Sequence, residues 1–211
     1  MSLRSALVIT LFTIGTTLSN LALAGDAETR LLRFLEGLHQ MEARLVQTIH
    51  SPQKETLEES EGIFWLSRPG RFRLSYTNPY KQLYVADGQR IWMYDKDLAQ
   101  ITVKPQQGAL GSTPALLLSG DINIQENFSM EELGLHEGFH WLNLYPKEPD
   151  ASFDYIRLAL EENELRAIEM VDGFGQVTRL FFDQIQRNPT LADSLFKFTP
   201  PAGVDVIGEQ K

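Results

Sequence analysis

The chain has 211 residues, 43% of them hydrophobic, with 28 acidic side chains against 19 basic ones and a formal charge of −9. That balance argues against nucleic acid or an anionic membrane surface as the main partner. Cysteine is absent from the sequence, so a lipid anchor on an N-terminal cysteine is excluded.

Residues 1–24 read as a secretory signal peptide. Arg4 gives the positive start, "ALVITLFTIGTTL" the apolar run, and "ALA" at 22–24 a small-residue cleavage site before Gly25. The run is too short, and too interrupted by polar residues, to serve as a membrane anchor. Cleavage between Ala24 and Gly25 is expected to leave one soluble domain, 25–211, in a Gram-negative periplasm, with enough chain for a real core.

From Asp26 to His39, Leu31, Phe34, Leu35 and Leu38 keep helical spacing, with Asp26 as N-cap and Gly37 loosening the end. The period then drops to two. Strands are predicted over 41–50, 60–67, 71–77, 81–86, 90–95, 99–104, 122–128, 139–146, 153–160, 165–171 and 175–185. Turn chemistry joins them: "NP" at 78–79, "DG" at 87–88, "EEN" at 161–163 and "DGFG" at 172–175. Such a series implies an antiparallel sheet, curved or barrel-like. In "SRPGRFRLSY", Arg71 and Arg73 alternate with Phe72, Leu74 and Tyr76, while Arg68 stands apart before Pro69.

"PQQGALGSTPALLLSG" at 105–120 breaks the rhythm. A short helix over 112–119 fits, with Ser112 or Thr113 as cap, Pro114 in its first turn and Gly120 at its end. It is either an ordinary helix covering a sheet or a movable cover.

Catalytic signals are few. "HEGFH" at 136–140 matches the zinc-peptidase spacing H-E-x-x-H, which needs both histidines on one helical turn. Gly134 and Gly138 and the strand pattern of "FHWLNLYP" oppose a helix, and along a strand the two histidines lie roughly 13 Å apart. No G-x-S-x-G elbow or phosphate-binding glycine loop occurs. What stands out is grease on predicted strands, including Phe64, Trp65, Phe72, Leu74, Trp92 and Trp141. Gathered on one side of a curved sheet, such residues make either a filled core or a lidded lipid-binding cavity.

The segments "RPGRFRLSY", "VADGQRIWMYDKDLAQITV", "TPALLLSGD", "LYPKEPDASFDYIRLAL", "DGFGQVTRLFF" and "FKFTPPAGVDV" resemble, in order and over nearly the whole chain after the leader, the periplasmic outer-membrane lipoprotein carriers, LolA. The resemblance implies a mainly β fold with an α lid: an unclosed antiparallel half-barrel of about eleven strands under an N-terminal helix and short lid helices. It implies a carrier and no enzyme. Such a carrier collects acylated lipoproteins from an inner-membrane ABC transporter and delivers them to an outer-membrane receptor, as a monomer without cofactor. The family's latch arginine falls on Arg68, whose guanidinium would donate to backbone carbonyls of Leu116, Leu117, Leu118 and Ser119. Acyl chains would lie on Trp65, Phe72, Leu74, Trp92, Leu116 and Leu118, with Phe72 near the mouth and Leu74 where relatives often carry tryptophan. A half-barrel binding another lipid, and more distantly a zinc peptidase at "HEGFH", are the competing readings.

Overall fold

The computed structural model describes residues 26–107, 109, 114–120, 123–149 and 151–208. The leader, its cleavage point and the Ser112 and Thr113 caps lie outside the described residues.

Twelve strands form one sheet: β1 Gln40–His50, β2 Thr56–Ser67, β3 Arg71–Asn78, β4 Gln82–Asp87, β5 Arg90–Asp95, β6 Gln100–Pro105, β7 Phe128–His136, β8 Phe139–Pro146, β9 Phe153–Glu161, β10 Glu164–Asp172, β11 Val177–Arg187 and β12 Asp205–Gly208. Their order is β12-β6-β5-β4-β3-β2-β1-β11-β10-β9-β8-β7. Two antiparallel meanders, β1 to β6 and β7 to β11, are thus sewn together where β1 pairs with β11. The ends of the sheet, β12 and β7, do not meet, so it stays unclosed.

Helix α1, Asp26–Leu35, and a 3-10 helix, Pro114–Ser119, lie on one face. Side chains from both meanders join these helices in one apolar cluster, with Phe64, Phe72, Leu144, Leu158, Ile168 and Phe182 among its members. A sheet brings both halves onto the same helices by curling round them. The opposite, outer face carries a smaller cluster of Leu83, Val85, Trp92, Ile101 and Val103. The C-terminal segment covers it with Phe198, Val204 and Val206.

Three elements differ from the sequence reading. Residues read as a strand over 122–128 include a short helix, α2 Ile124–Asn127, whose first turn Asn123 caps by accepting from the Glu126 amide. The strand itself runs later, as β7. It is an edge strand with one lined face and a bulge between Glu132 and Gly134, which blurs its alternation. β12 was missed because it pairs in parallel with β6 after a long return and has no hairpin signal. Finally, α1 ends at Leu35, four residues before His39, and Gly37 takes φ +62 just beyond.

Candidate functional site

The inner wall follows from strand parity. On β3, Phe72, Leu74 and Tyr76 point inward and are 0%, 1% and 5% exposed. Arg71 and Arg73 point outward and hold the C-terminal segment: Arg71 pairs with Asp193 at 3.1 Å, and Arg73 donates to the Leu195 carbonyl at 3.1 Å. The next strands repeat the rule. Phe64 and Leu66 of β2, Met41 and Leu45 of β1, and Leu180 and Phe182 of β11 all lie in the inner cluster. Phe64 sits at the centre, its ring 5.9 Å from Phe72 and 5.6 Å from Phe182.

Parity also corrects two expected acyl contacts. Trp65 lies between inward-facing Phe64 and Leu66, so its indole turns outward and donates to Glu42 at 2.9 Å. Trp92 pairs with Val85 and Val103 in the outer cluster. Its ring meets Phe198 at 5.5 Å, and its N–H donates to Asp87 at 3.0 Å. Phe72, Leu74, Leu116 and Leu118 are brought together in the inner cluster.

The cover is anchored at one corner. Pro114–Ser119 presses Ala115, Leu116, Leu117 and Leu118 into the wall, all buried. Its last residue, Ser119, accepts from the Gly70 amide at 2.9 Å. Gly120 then turns away at φ +85, and the Arg68 guanidinium lies against it: a β-carbon there would meet Nε at 2.5 Å. The acceptors of Arg68 differ from those expected. Among the described residues its Nη1 donates to the carbonyls of Leu35, at 3.1 Å, and Leu38, at 3.5 Å, at the C-terminal end of α1. Of the four carbonyls expected to receive it, that of Ser119 accepts from the Gly70 amide and that of Leu116 from the Ser119 hydroxyl at 2.7 Å. Arg68 therefore packs on the end of the 3-10 helix while bonding α1, and so joins both covering elements. Burial lowers its pKa, but arginine remains charged at any physiological pH.

Sequence reasoning missed the other tethers of α1. Arg187 donates to the carbonyls of Phe34, at 2.6 Å, and Glu36, at 3.1 Å, with its guanidinium 5.2 Å from the centre of the Phe34 ring. Asn188 donates to the Gly37 carbonyl and accepts from the His39 and Gln40 amides. At the other end Glu132 of β7 accepts from the Ala27 and Glu28 amides at 3.2 and 2.8 Å. Carboxylate at the N-terminus and guanidinium at the C-terminus suit the helix dipole at both ends. These pairings span more than a hundred residues, and no local pattern announces them.

A groove of about 490 Å³ opens between α1 and the cover, lined by Leu32, Leu35, Arg68, Leu117, Gly120 and Ile124. Below it the wall is filled by the cover's own side chains. Of the two arrangements open to the sequence, a filled core or a lidded cavity, this closed form is a wall packed under its lid.

"HEGFH" forms the β7–β8 hairpin. Glu137 and Gly138 make the turn at φ 54 and 86, and His136 pairs across it with Phe139. His136 lies within 3.1 Å of the Leu133 carbonyl, and His140 lies 3.2 Å from Asp26. The helical turn on which a zinc peptidase mounts both histidines is replaced by this hairpin. Among the described residues no cluster of metal-ligating side chains forms.

Comparison with known proteins agrees with this architecture. Residues 36–199 match the family described as "Outer membrane lipoprotein carrier protein LolA". An outer-membrane lipoprotein carrier protein from Methylococcus capsulatus is 42% identical over 191 residues, covering 89% of this chain and 92% of that protein. One of the same name from Dechloromonas aromatica is 42% identical over 189 residues, covering 90% of each. An uncharacterized conserved protein from Thermus thermophilus shares the fold at 16% identity, with a TM-score of 0.51 over 86% of this chain and 98% of its own. The chain belongs to the LolA family of outer membrane lipoprotein carrier proteins.

Proposed function

We propose that this chain is a periplasmic carrier of acylated lipoproteins. It takes them from an inner-membrane ABC transporter and hands them to an outer-membrane receptor, travelling as a monomer after cleavage between Ala24 and Gly25. It performs no catalysis in this reading. The observation that carries the proposal is the apolar wall around Phe64, Phe72 and Leu74, closed by a short helix whose end meets Arg68. No helix among the described residues is long and apolar enough to cross a membrane.

The cover explains how release occurs without nucleotide. Burial of an acyl chain gains roughly 0.8 kcal/mol per methylene, so an empty apolar trough would hold several chains almost irreversibly. Here Leu116, Leu117 and Leu118 already occupy the wall. Cargo exchanges one apolar contact for another, and net affinity falls with the fraction of open protein.

The test is release. Purified protein added to spheroplasts should bring lipoproteins into the supernatant as one-to-one complexes, and mass spectrometry should find acylated protein in them. Free lipid as the cargo would move the assignment to a binder of another lipid.

A further inference from the structure

The inner wall continues past the covering helices to a second end, and there its character changes. Beyond Leu74 the inward positions are Tyr76 on β3, Gln47 on β1, and Tyr84 and Met93 on β4 and β5. A groove of about 240 Å³ runs along this end, lined by Gln82, Tyr84, Met93, Asp95, Gln100 and Thr102. Tyr76 donates its hydroxyl to Gln47 Oε1 at 2.6 Å, and its ring meets Tyr84 edge-on at 5.7 Å. That bond fixes the Gln47 amide and leaves its NH₂ group without a partner among the described residues. The Tyr84 hydroxyl likewise has none. Both residues are half-buried, so water meets these donors in the empty protein, and an apolar ligand that displaces that water must bring acceptors of its own.

We infer that this end is a polar subsite in which Gln47 and Tyr84 donate to the neutral carbonyls of an acyl ester or amide, while the hydrocarbon runs toward Leu74 and Phe72. The inference rests on the carrier reading and says where the glyceryl head of an acylated cysteine lies. Burial raises the pKa of both tyrosines, and nearby Glu58 adds to the effect, with Asp95 also acting on Tyr84. Both therefore keep their protons as donors. The same two carboxylates repel an anionic head, so a free fatty acid is the wrong ligand and a neutral ester the right one.

The probes are synthetic: a peptide bearing S-dipalmitoylglyceryl cysteine, its ether-linked analogue without ester carbonyls, palmitate and methyl palmitate. Each competes with a fluorescent lipopeptide. Wild-type protein is expected to prefer ester over ether lipopeptide about tenfold, and methyl palmitate over palmitate at neutral pH. Tyr84→Phe, isosteric, should lower the ester-to-ether ratio. Joined to Gln47→Met and Tyr76→Phe, which together leave no buried group unpaired, it should bring the ratio near one. A ratio that stays tenfold in the triple variant, or is one in wild type, overturns the subsite and leaves the carrier reading standing. If neither lipopeptide competes, the carrier reading and the subsite fail together.

Discussion

Arg68 packs on the α-carbon of Gly120, with no room for a side chain between them. The contact places a fixed charge where the 3-10 helix ends, while Nη1 of the same guanidinium bonds the end of α1. Gly120→Ala should therefore act twice. Its φ of +85 strains any β-carbon, and the new methyl displaces the guanidinium. A loss of about 1–2 kcal/mol in urea unfolding is expected, with faster proteolysis of the 114–120 region. Unchanged stability would show that the arginine is free to move aside.

Arg68→Leu removes the bonds to Leu35 and Leu38 and loosens both covering elements. The open form gains population, and a ligand that selects it gains affinity. Capture from spheroplasts should persist while handover to the outer-membrane receptor becomes slow or incomplete. Arg68→Lys should rescue only in part, because the planar fork is lost. Weak capture with normal handover would reject the latch.

The facing of the wall was legible in the sequence where the alternation is strict. The alternation of Arg71 and Arg73 with Phe72, Leu74 and Tyr76 gave the two faces of β3, because a period of two has only one dry side. Trp65 and Trp92 were misassigned because greasiness was read without parity: each sits one residue out of phase with inward neighbours, Phe64 and Leu66 for one, Ile91 and Met93 for the other. The outer face of β4 to β6 has a core of its own only because the chain returns with Phe198 and Val206, a fact of topology and not of local pattern. The acceptors of Arg68 escaped for the same reason. An arginine before a turn announces donors, while the carbonyls it reaches depend on where α1 ends in space.

The tethers of α1 give a test independent of cargo. Arg187→Leu removes two charge-assisted bonds and a ring contact from the helix end. It should cost about 1.5–3 kcal/mol, and hydrogen exchange should quicken first at α1 amides. Uniform quickening across the sheet would mean that α1 is not a separately opening unit.

Asp87 supplies a pH dependence. Burial alone would raise its pKa, but the Trp92 N–H and the Arg90 and Gln89 amides, together with the Arg90 charge, outweigh it and hold the carboxyl below the ordinary range. The native state therefore binds this proton less readily than the unfolded one. Its stabilisation is present above the ordinary carboxylate range and is lost as pH falls through the lowered folded value. Asp87→Asn should cost about 1 kcal/mol at neutral pH and flatten the acid limb of a stability profile. A parallel limb in the mutant would assign that limb to other carboxylates.

Phe72 is fully buried in the closed state, so Phe72→Glu places an unpaired carboxylate under the cover. The variant should lose lipoprotein capture together with about 3–5 kcal/mol of stability. Wild-type capture by the folded variant would remove Phe72 from the binding wall.

The most direct measurement of the central claim places a photo-crosslinking benzophenone residue at Phe72, Leu74, Trp65 or Trp92 in turn, in cells whose lipoproteins carry radioactive palmitate. The account predicts labelled lipoprotein adducts from Phe72 and Leu74, which face the covered wall, and none from Trp65 and Trp92, which face outward. Adducts from the two tryptophans, with none from Phe72 and Leu74, would contradict it.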